Sequence, residues 1–189
     1  MPAGPGQDRR RPRARRRIGF VRGPLGRSCV AMACVILAST AVATEREDRP
    51  SLAVSTGIFG LIDDYRPRTV SGLLRTAPRT AWALAPGIGV VLGADSLAYI
   101  YAEVSRDIAY GRSWRLTPCV GAGWLRNGEA IGIDYPLEFQ TGIELAYALR
   151  SGGRAGLGFY HLSNAGLSDD NPGTESLRFF VAFPAGRAD

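Results

Sequence analysis

The sequence contains no lysine, one histidine and three cysteines. Two of the cysteines, Cys29 and Cys34, lie in an N-terminal segment that we expect to be removed, so that Cys119 alone remains. One cysteine cannot form an intramolecular disulfide, and one histidine cannot build a multi-histidine metal site. These shortages argue against zinc and redox chemistry, and we expect neither a metal nor a cofactor.

Net positive charge is confined to the N-terminal arm. Nine of the 23 arginines precede residue 44, where only Asp8 opposes them. From Thr44 onward, 14 arginines face 16 acidic residues, so this part is slightly acidic. The net charge of +6 belongs to the arm and does not predict a nucleic-acid partner.

Long hydrophobic runs are also missing. The longest, Cys29 to Val42, has 14 residues, short of the roughly 20 that a membrane-spanning helix needs. It follows a basic region and ends in Ala41-Val42-Ala43, a small-x-small cleavage pattern. We therefore expect residues 1–43 to be a cleaved signal peptide and residues 44–189 to form one domain. A buried core helix or a stop-transfer anchor is the alternative.

The remaining chain favours strands over helices, because Gly and Pro interrupt it repeatedly. Between these breaks lie segments rich in aromatic and aliphatic residues, bounded by turn sequences such as Asn127-Gly128. Eight strands are predicted: Ser51–Gly60, Arg66–Thr76, Thr80–Leu92, Leu97–Tyr110, Trp114–Arg126, Leu137–Leu149, Arg154–Asn164 and Glu175–Pro184.

Two of these segments alternate between an apolar face and a more polar or smaller one. In the sixth, residues 137, 139, 143, 145, 147 and 149 are apolar, whereas Glu138, Gln140 and Glu144 lie opposite. A soluble barrel would turn the apolar face inward, and a membrane barrel would turn it toward lipid. Export, strand lengths and the even strand count favour an all-β fold, an eight-stranded antiparallel transmembrane β-barrel.

Three residues near the C-terminal end have the side chains of a nucleophilic site. His161 and Ser163 are two apart on one strand and project from the same face. A serine hydroxyl needs a base to remove its proton, and imidazole needs a carboxylate to fix its tautomer. Glu175 begins the next strand, so antiparallel pairing would bring it near His161.

By the alternation of strand residues, these three side chains lie on the same face as apolar neighbours. The neighbours are Leu157 and Phe159 on one strand and Leu177 and Phe179 on the next. We therefore expect the site on the outer, lipid-directed wall. Such a location suits a membrane lipid as substrate.

The segment from Tyr160 to Glu175 resembles the signature of the lipid A 3-O-deacylase family (PagL-type). The family pattern is His-x-Ser-Asn-Ala followed by Asn-Pro-Gly-x-Glu, with the carboxylate fourteen residues after the histidine. Here that position is Glu175. The specific match covers residues 137–184, and the first half agrees only in strand rhythm.

The resemblance implies a carboxylic ester hydrolase of the Gram-negative outer membrane that cleaves the 3-O-linked acyl ester of lipid A (lipopolysaccharide) and releases a 3-hydroxy fatty acid. Ser163 would be the nucleophile, His161 the general base and then acid, and Glu175 its orienting group. Asn164 matches an oxyanion-side asparagine, and Asn171 a second, supporting one. The resemblance also hints at a homodimer among outer-membrane lipids.

Several points stay open at this stage. The chain continues past Phe183, although outer-membrane barrels often end on an aromatic residue. A non-catalytic structural or adhesion barrel, a soluble periplasmic lipid-binding barrel and a phospholipid esterase are the competing interpretations. Four arginines are conceivable contacts for lipid phosphates, but none is assigned: Arg112, Arg115, Arg126 and Arg178.

Overall fold

The computed structural model describes residues 49–79, 81–126, 133, 135–168 and 173–186. The predicted signal peptide, residues 1–43, lies outside these ranges, as does Asn171. Among the described residues, no helix has the length and apolar character needed to cross a membrane.

The described chain is built from antiparallel strands. They are β1 (Ser51–Phe59), β2 (Arg68–Arg75), β3 (Ala85–Gly93), β4 (Ala98–Ser105), β5 (Ile108–Tyr110), β6 (Trp114–Arg126), β7 (Leu137–Ala148), β8 (Arg154–Ser163) and β9 (Thr174–Pro184). A 3₁₀ turn, Ala94–Ser96, links β3 to β4.

The strands close into a barrel. Each long strand pairs with its sequence neighbour, β1 pairs with β9, and β4 pairs with β6 to complete the ring. The predicted fourth strand is present as two pieces, β4 and β5, both paired with β6 in one continuous register. The break lies opposite Pro118, which accepts a bond from the Arg106 N–H at 3.2 Å but has no N–H to return. The barrel therefore has eight strand positions around its circumference, one of them shared by β4 and β5, which confirms the predicted fold class.

The strand register determines the tilt of the strands relative to the barrel axis. A row of directly paired residues that begins at Ala98 on β4 reaches β6 at Leu116. Ala98 itself pairs with Arg126 across the closing contact, ten residues further along β6. Eight strands with a stagger of ten residues are tilted by about 40°. On the neighbouring strand, the residue at the same height along the barrel axis is therefore offset by about 1.25 residues from the direct pairing partner.

The facing of the side chains decides between the soluble and the membrane barrel. On β7, Glu138, Gln140 and Glu144 are buried inside, whereas Phe139 and Ile143 are exposed outside. On β9, Ser176 and Arg178 point inward. The apolar face is therefore the outer wall, as expected for a barrel surrounded by lipid, and a soluble lipid-binding barrel is excluded.

Charged and polar side chains share the barrel interior with a cluster of buried apolar ones. The Arg75 guanidinium donates to Glu103 at 2.7 and 2.9 Å and to Glu144 at 2.7 Å. Tyr160 donates to Glu144 at 2.7 Å, and the Arg178 guanidinium lies 4.2 Å from the centre of the Tyr160 ring. Because every member has a partner, these buried side chains link five strands across the lumen, β2, β4, β7, β8 and β9.

Exposed aromatic residues mark the two ends of the outer wall. Trp114 and Tyr147 pack edge to face with ring centres 5.3 Å apart at one end, and Trp124 stands at the other. Ten residues of β6 separate the two tryptophans, or about 25 Å of height at this tilt. That height matches the apolar band of outer-membrane barrels, which aromatic girdles flank.

Candidate active site

His161 and Glu175 are direct partners across the β8–β9 ladder. His161 Nδ1 lies 3.1 Å from Glu175 Oε1, and the two side chains are 25 % and 18 % exposed. A carboxylate at Nδ1 favours the tautomer with its proton on that nitrogen, which leaves Nε2 free to accept a proton. The pair therefore has the geometry of an oriented general base.

Ser163 occupies the next outward position of β8 after His161, opposite Phe139 on β7. It is half-buried, and within the described part of the chain its hydroxyl makes no hydrogen bond. Substrate-free sites often hold the nucleophile and base further apart than they lie in the reacting complex. The structure thus brings His161 and Glu175 into contact and places Ser163 beside them on the same face.

Asn164 follows Ser163 and is fully buried. Its Oδ1 accepts a hydrogen bond of 2.9 Å from the Gly166 N–H, which closes a turn through Ala165 and Gly166, both at positive φ. Its Nδ2 is buried without a partner among the described residues, and so is Glu175 Oε2. Unpaired buried polar atoms are rare, and here two of them lie in the candidate site. Asn171 is outside the described residues.

Gly173 borders the candidate site, and the sequence alone does not reveal its packing role. Its φ is +72°, and a Cβ at this position would lie 2.7 Å from His161 Cε1 and 3.2 Å from Nε2. The backbone of residue 173 therefore forms one wall of the imidazole pocket. Its signal in the sequence was the turn Asn171-Pro172-Gly173, which indicates positive φ but not contact with the ring.

The β1–β2 loop fixes the start of β9, where Glu175 lies. The Leu61 N–H donates to the Glu175 carbonyl at 2.8 Å, and Thr174 Oγ1 donates to Asp63 Oδ2 at 2.6 Å. In the same loop, the Tyr65 hydroxyl donates to Asp95, and this bond raises the pKa of the Tyr65 phenol. Loops distant in sequence therefore hold the strand end that carries the carboxylate.

The site faces outward, at the end of the barrel opposite the described chain termini. Phe159 and Phe139, the outward neighbours of His161 and Ser163, are 41 % and 37 % exposed. With the stagger of ten residues, Ser163 lies about level with Trp124. The three side chains therefore stand at the edge of the apolar band, where polar head groups meet acyl chains.

Fold and site together define a membrane β-barrel with a serine, a histidine and a carboxylate on its lipid-facing wall. The family model for lipid A 3-O-deacylase (PagL) matches residues 80–184. The chain belongs to this family. It is an outer-membrane enzyme of the carboxylic ester hydrolase class, which excludes the non-catalytic barrel.

Solved structures are also similar to this chain, and the first of them supports the fold. The crystal structure of the outer membrane enzyme PagL has a TM-score of 0.58 at 18 % identity, covering 71 % of this chain and 99 % of that one. Neisserial surface protein A has a TM-score of 0.45 at 10 % identity, covering 70 % and 92 %. The Yersinia pestis outer membrane protein Ail has a TM-score of 0.43 at 13 % identity, covering 70 % and 99 %. A search of curated proteins finds no match.

Proposed function

We propose that this enzyme hydrolyses the ester-linked acyl chain at the 3-position of lipid A and releases a 3-hydroxy fatty acid. The observation that carries the proposal is the 3.1 Å contact between His161 and Glu175 on the lipid-facing wall, one outward position from Ser163. Hydrolytic side chains on this wall face away from the lumen and are accessible to an ester held in the bilayer.

Ser163 is the proposed nucleophile. Its Oγ attacks the acyl carbonyl while the Oγ proton passes to His161 Nε2, the nitrogen not engaged by Glu175. The tetrahedral intermediate collapses to an acyl-serine, and the imidazolium protonates the departing sugar oxygen. Water then attacks the acyl-serine with His161 again as base, the imidazolium returns the proton to Ser163 Oγ as the Oγ–acyl bond breaks, and the fatty acid leaves. Glu175 stabilises the imidazolium in both halves.

Asn164 is the proposed donor to the oxyanion. Its Nδ2 is buried and has no partner among the described residues, while Oδ1 is held by the Gly166 N–H. A donor fixed in this way loses no hydrogen bond when charge develops on the carbonyl oxygen beside Ser163. Removing one such donor typically lowers turnover about 10²–10³-fold. Asn171 is proposed as a second support, on the strength of the family pattern.

The test is the lipid A of cells that express the chain. Mass spectrometry of extracted lipid A should show the loss of one 3-hydroxyacyl group, and Ser163→Ala and His161→Ala should restore the intact mass. Heat-modifiable gel mobility of each variant in the outer-membrane fraction controls for folding. Intact lipid A with a folded wild-type barrel would refute the proposal, and loss of acyl chains from phospholipid alone would reassign the substrate.

Export and assembly complete the proposal. We propose that residues 1–43 are removed during export, which N-terminal sequencing of the outer-membrane form tests. Self-association as a homodimer stays a prediction from the family resemblance. Sedimentation in detergent tests it.

A further inference from the structure

Among the strand residues that the structure describes, charged side chains are almost absent from the outer wall of the barrel. In the described strands, the outward positions that carry a guanidinium, an imidazole or a carboxyl group are Arg68, Arg126, His161 and Glu175. His161 and Glu175 pair with each other. Arg68 and Arg126 are exposed, and neither makes an ion pair with a described residue.

All four residues lie at the same end of the barrel. Arg68 is the first residue of β2 and Arg126 the last of β6, both at the end where β8 reaches Ser163. Correcting the register for the tilt places Arg68 about level with Ser163 and Arg126 about 4 Å further out. Each lies two strands from the site, Arg68 beyond Glu175 and Arg126 beyond Ser163.

An arginine on a lipid-facing wall needs an anion. At the bilayer midplane it costs about 2–4 kcal/mol, and the cost falls to about 0–1 kcal/mol at the interface, where the side chain can reach phosphates. The guanidinium fork binds phosphate with two parallel hydrogen bonds. The anionic groups at this level of a lipid A leaflet are the phosphates on its sugars.

We propose that Arg68 and Arg126 form a phosphate-binding belt for lipid A molecules packed against this wall. The belt rests on the proposed function for its choice of lipid. By holding the phosphates, it keeps Ser163 at the depth of the acyl esters next to them. The other candidate arginines do not fit: Arg115 and Arg178 are 8 % and 2 % exposed inside the barrel, and Arg112 lies at the opposite end.

The belt is tested by binding, separately from turnover. The full chain with Ser163→Ala is titrated in neutral detergent with bis-phosphorylated lipid A, and separately with the same lipid after its phosphates are removed. Native mass spectrometry measures the fraction of protein in complex with lipid. Arg68→Gln and Arg126→Gln should each weaken binding of the phosphorylated lipid about fivefold. Binding of the dephosphorylated lipid should not change, and Arg112→Gln is the matched control.

Three results would overturn the belt. In the first, both variants bind phosphorylated lipid A as tightly as their parent. In the second, they lose affinity for the phosphorylated and the dephosphorylated lipid equally. In the third, the same titration with phosphatidylglycerol shows an equal loss of affinity, which would mean that any membrane phosphate is the partner. Failure of the proposed function looks different, because the variants would keep their binding pattern while wild-type protein left lipid A intact.

Discussion

Replacing Gly173 with alanine tests whether the position of the His161 ring controls turnover. The added methyl would lie 2.7 Å from His161 Cε1, where an ordinary contact needs at least 3.4 Å. The ring, or the turn that carries residue 173, must therefore move by about 0.7 Å. Misplacement of a catalytic group by about 1 Å costs on the order of 10²-fold in rate. We expect kcat on lipid A in mixed micelles to fall by about that factor.

The same substitution also strains the backbone, because φ at Gly173 is +72°. Alanine in this region costs about 1–2 kcal/mol. Gly152→Ala is the matched control, since Gly152 has a φ of +86° but no atom within 4 Å of the new methyl. Urea unfolding should report similar stability losses for the two variants, while only Gly173→Ala loses turnover. Equal activity of the two variants would refute the proposed contact control.

Three further predictions concern other groups. Glu175→Ala should lower kcat about 10²–10⁴-fold and leave the heat-modifiable mobility intact, because in the proposed mechanism the carboxylate orients the base and does not build the barrel; turnover at the wild-type level would remove Glu175 from the proposed site. Asn164→Asp keeps the oxygen that closes the turn but deletes the Nδ2 donor, so kcat should fall about 10²–10³-fold in the same micelle assay, and an unchanged kcat would leave the oxyanion without this donor. Arg75→Met should reduce the free energy of unfolding by about 3–5 kcal/mol in urea titrations, because it leaves Glu103 and Glu144 buried without their cation; a barrel as stable as wild type would show that the interior ion pairs contribute little.

The sequence predicted the strand pattern well where alternation is regular. The Trp114–Arg126 strand has the predicted bounds, and β7 and β9 differ from prediction by a single residue at one end. The third strand was predicted from Thr80 but begins at Ala85, after Ala83 at positive φ. Alternation is a local property of neighbouring residues, which is why it can be read without knowledge of the partners.

Contacts between distant strands could not be predicted in this way. The Arg75–Glu144 pair joins residues 69 apart in sequence, and the Thr174–Asp63 bond joins residues 111 apart. Neither leaves a pattern in a single sequence, because each depends on barrel closure and stagger. The His161–Glu175 contact could be predicted from the sequence, because a short connection between antiparallel strands brings those positions together.

The most direct measurement of the central claim is covalent labelling of the full-length protein in outer-membrane vesicles with a long-chain fluorophosphonate. A serine oxygen activated by His161 displaces fluoride and keeps the phosphonyl group, and peptide mass spectrometry locates the adduct. The account predicts one adduct, on Ser163, that is lost in His161→Ala and formed more slowly in Glu175→Gln. An adduct on another serine, or labelling of Ser163 that does not depend on His161, would contradict it.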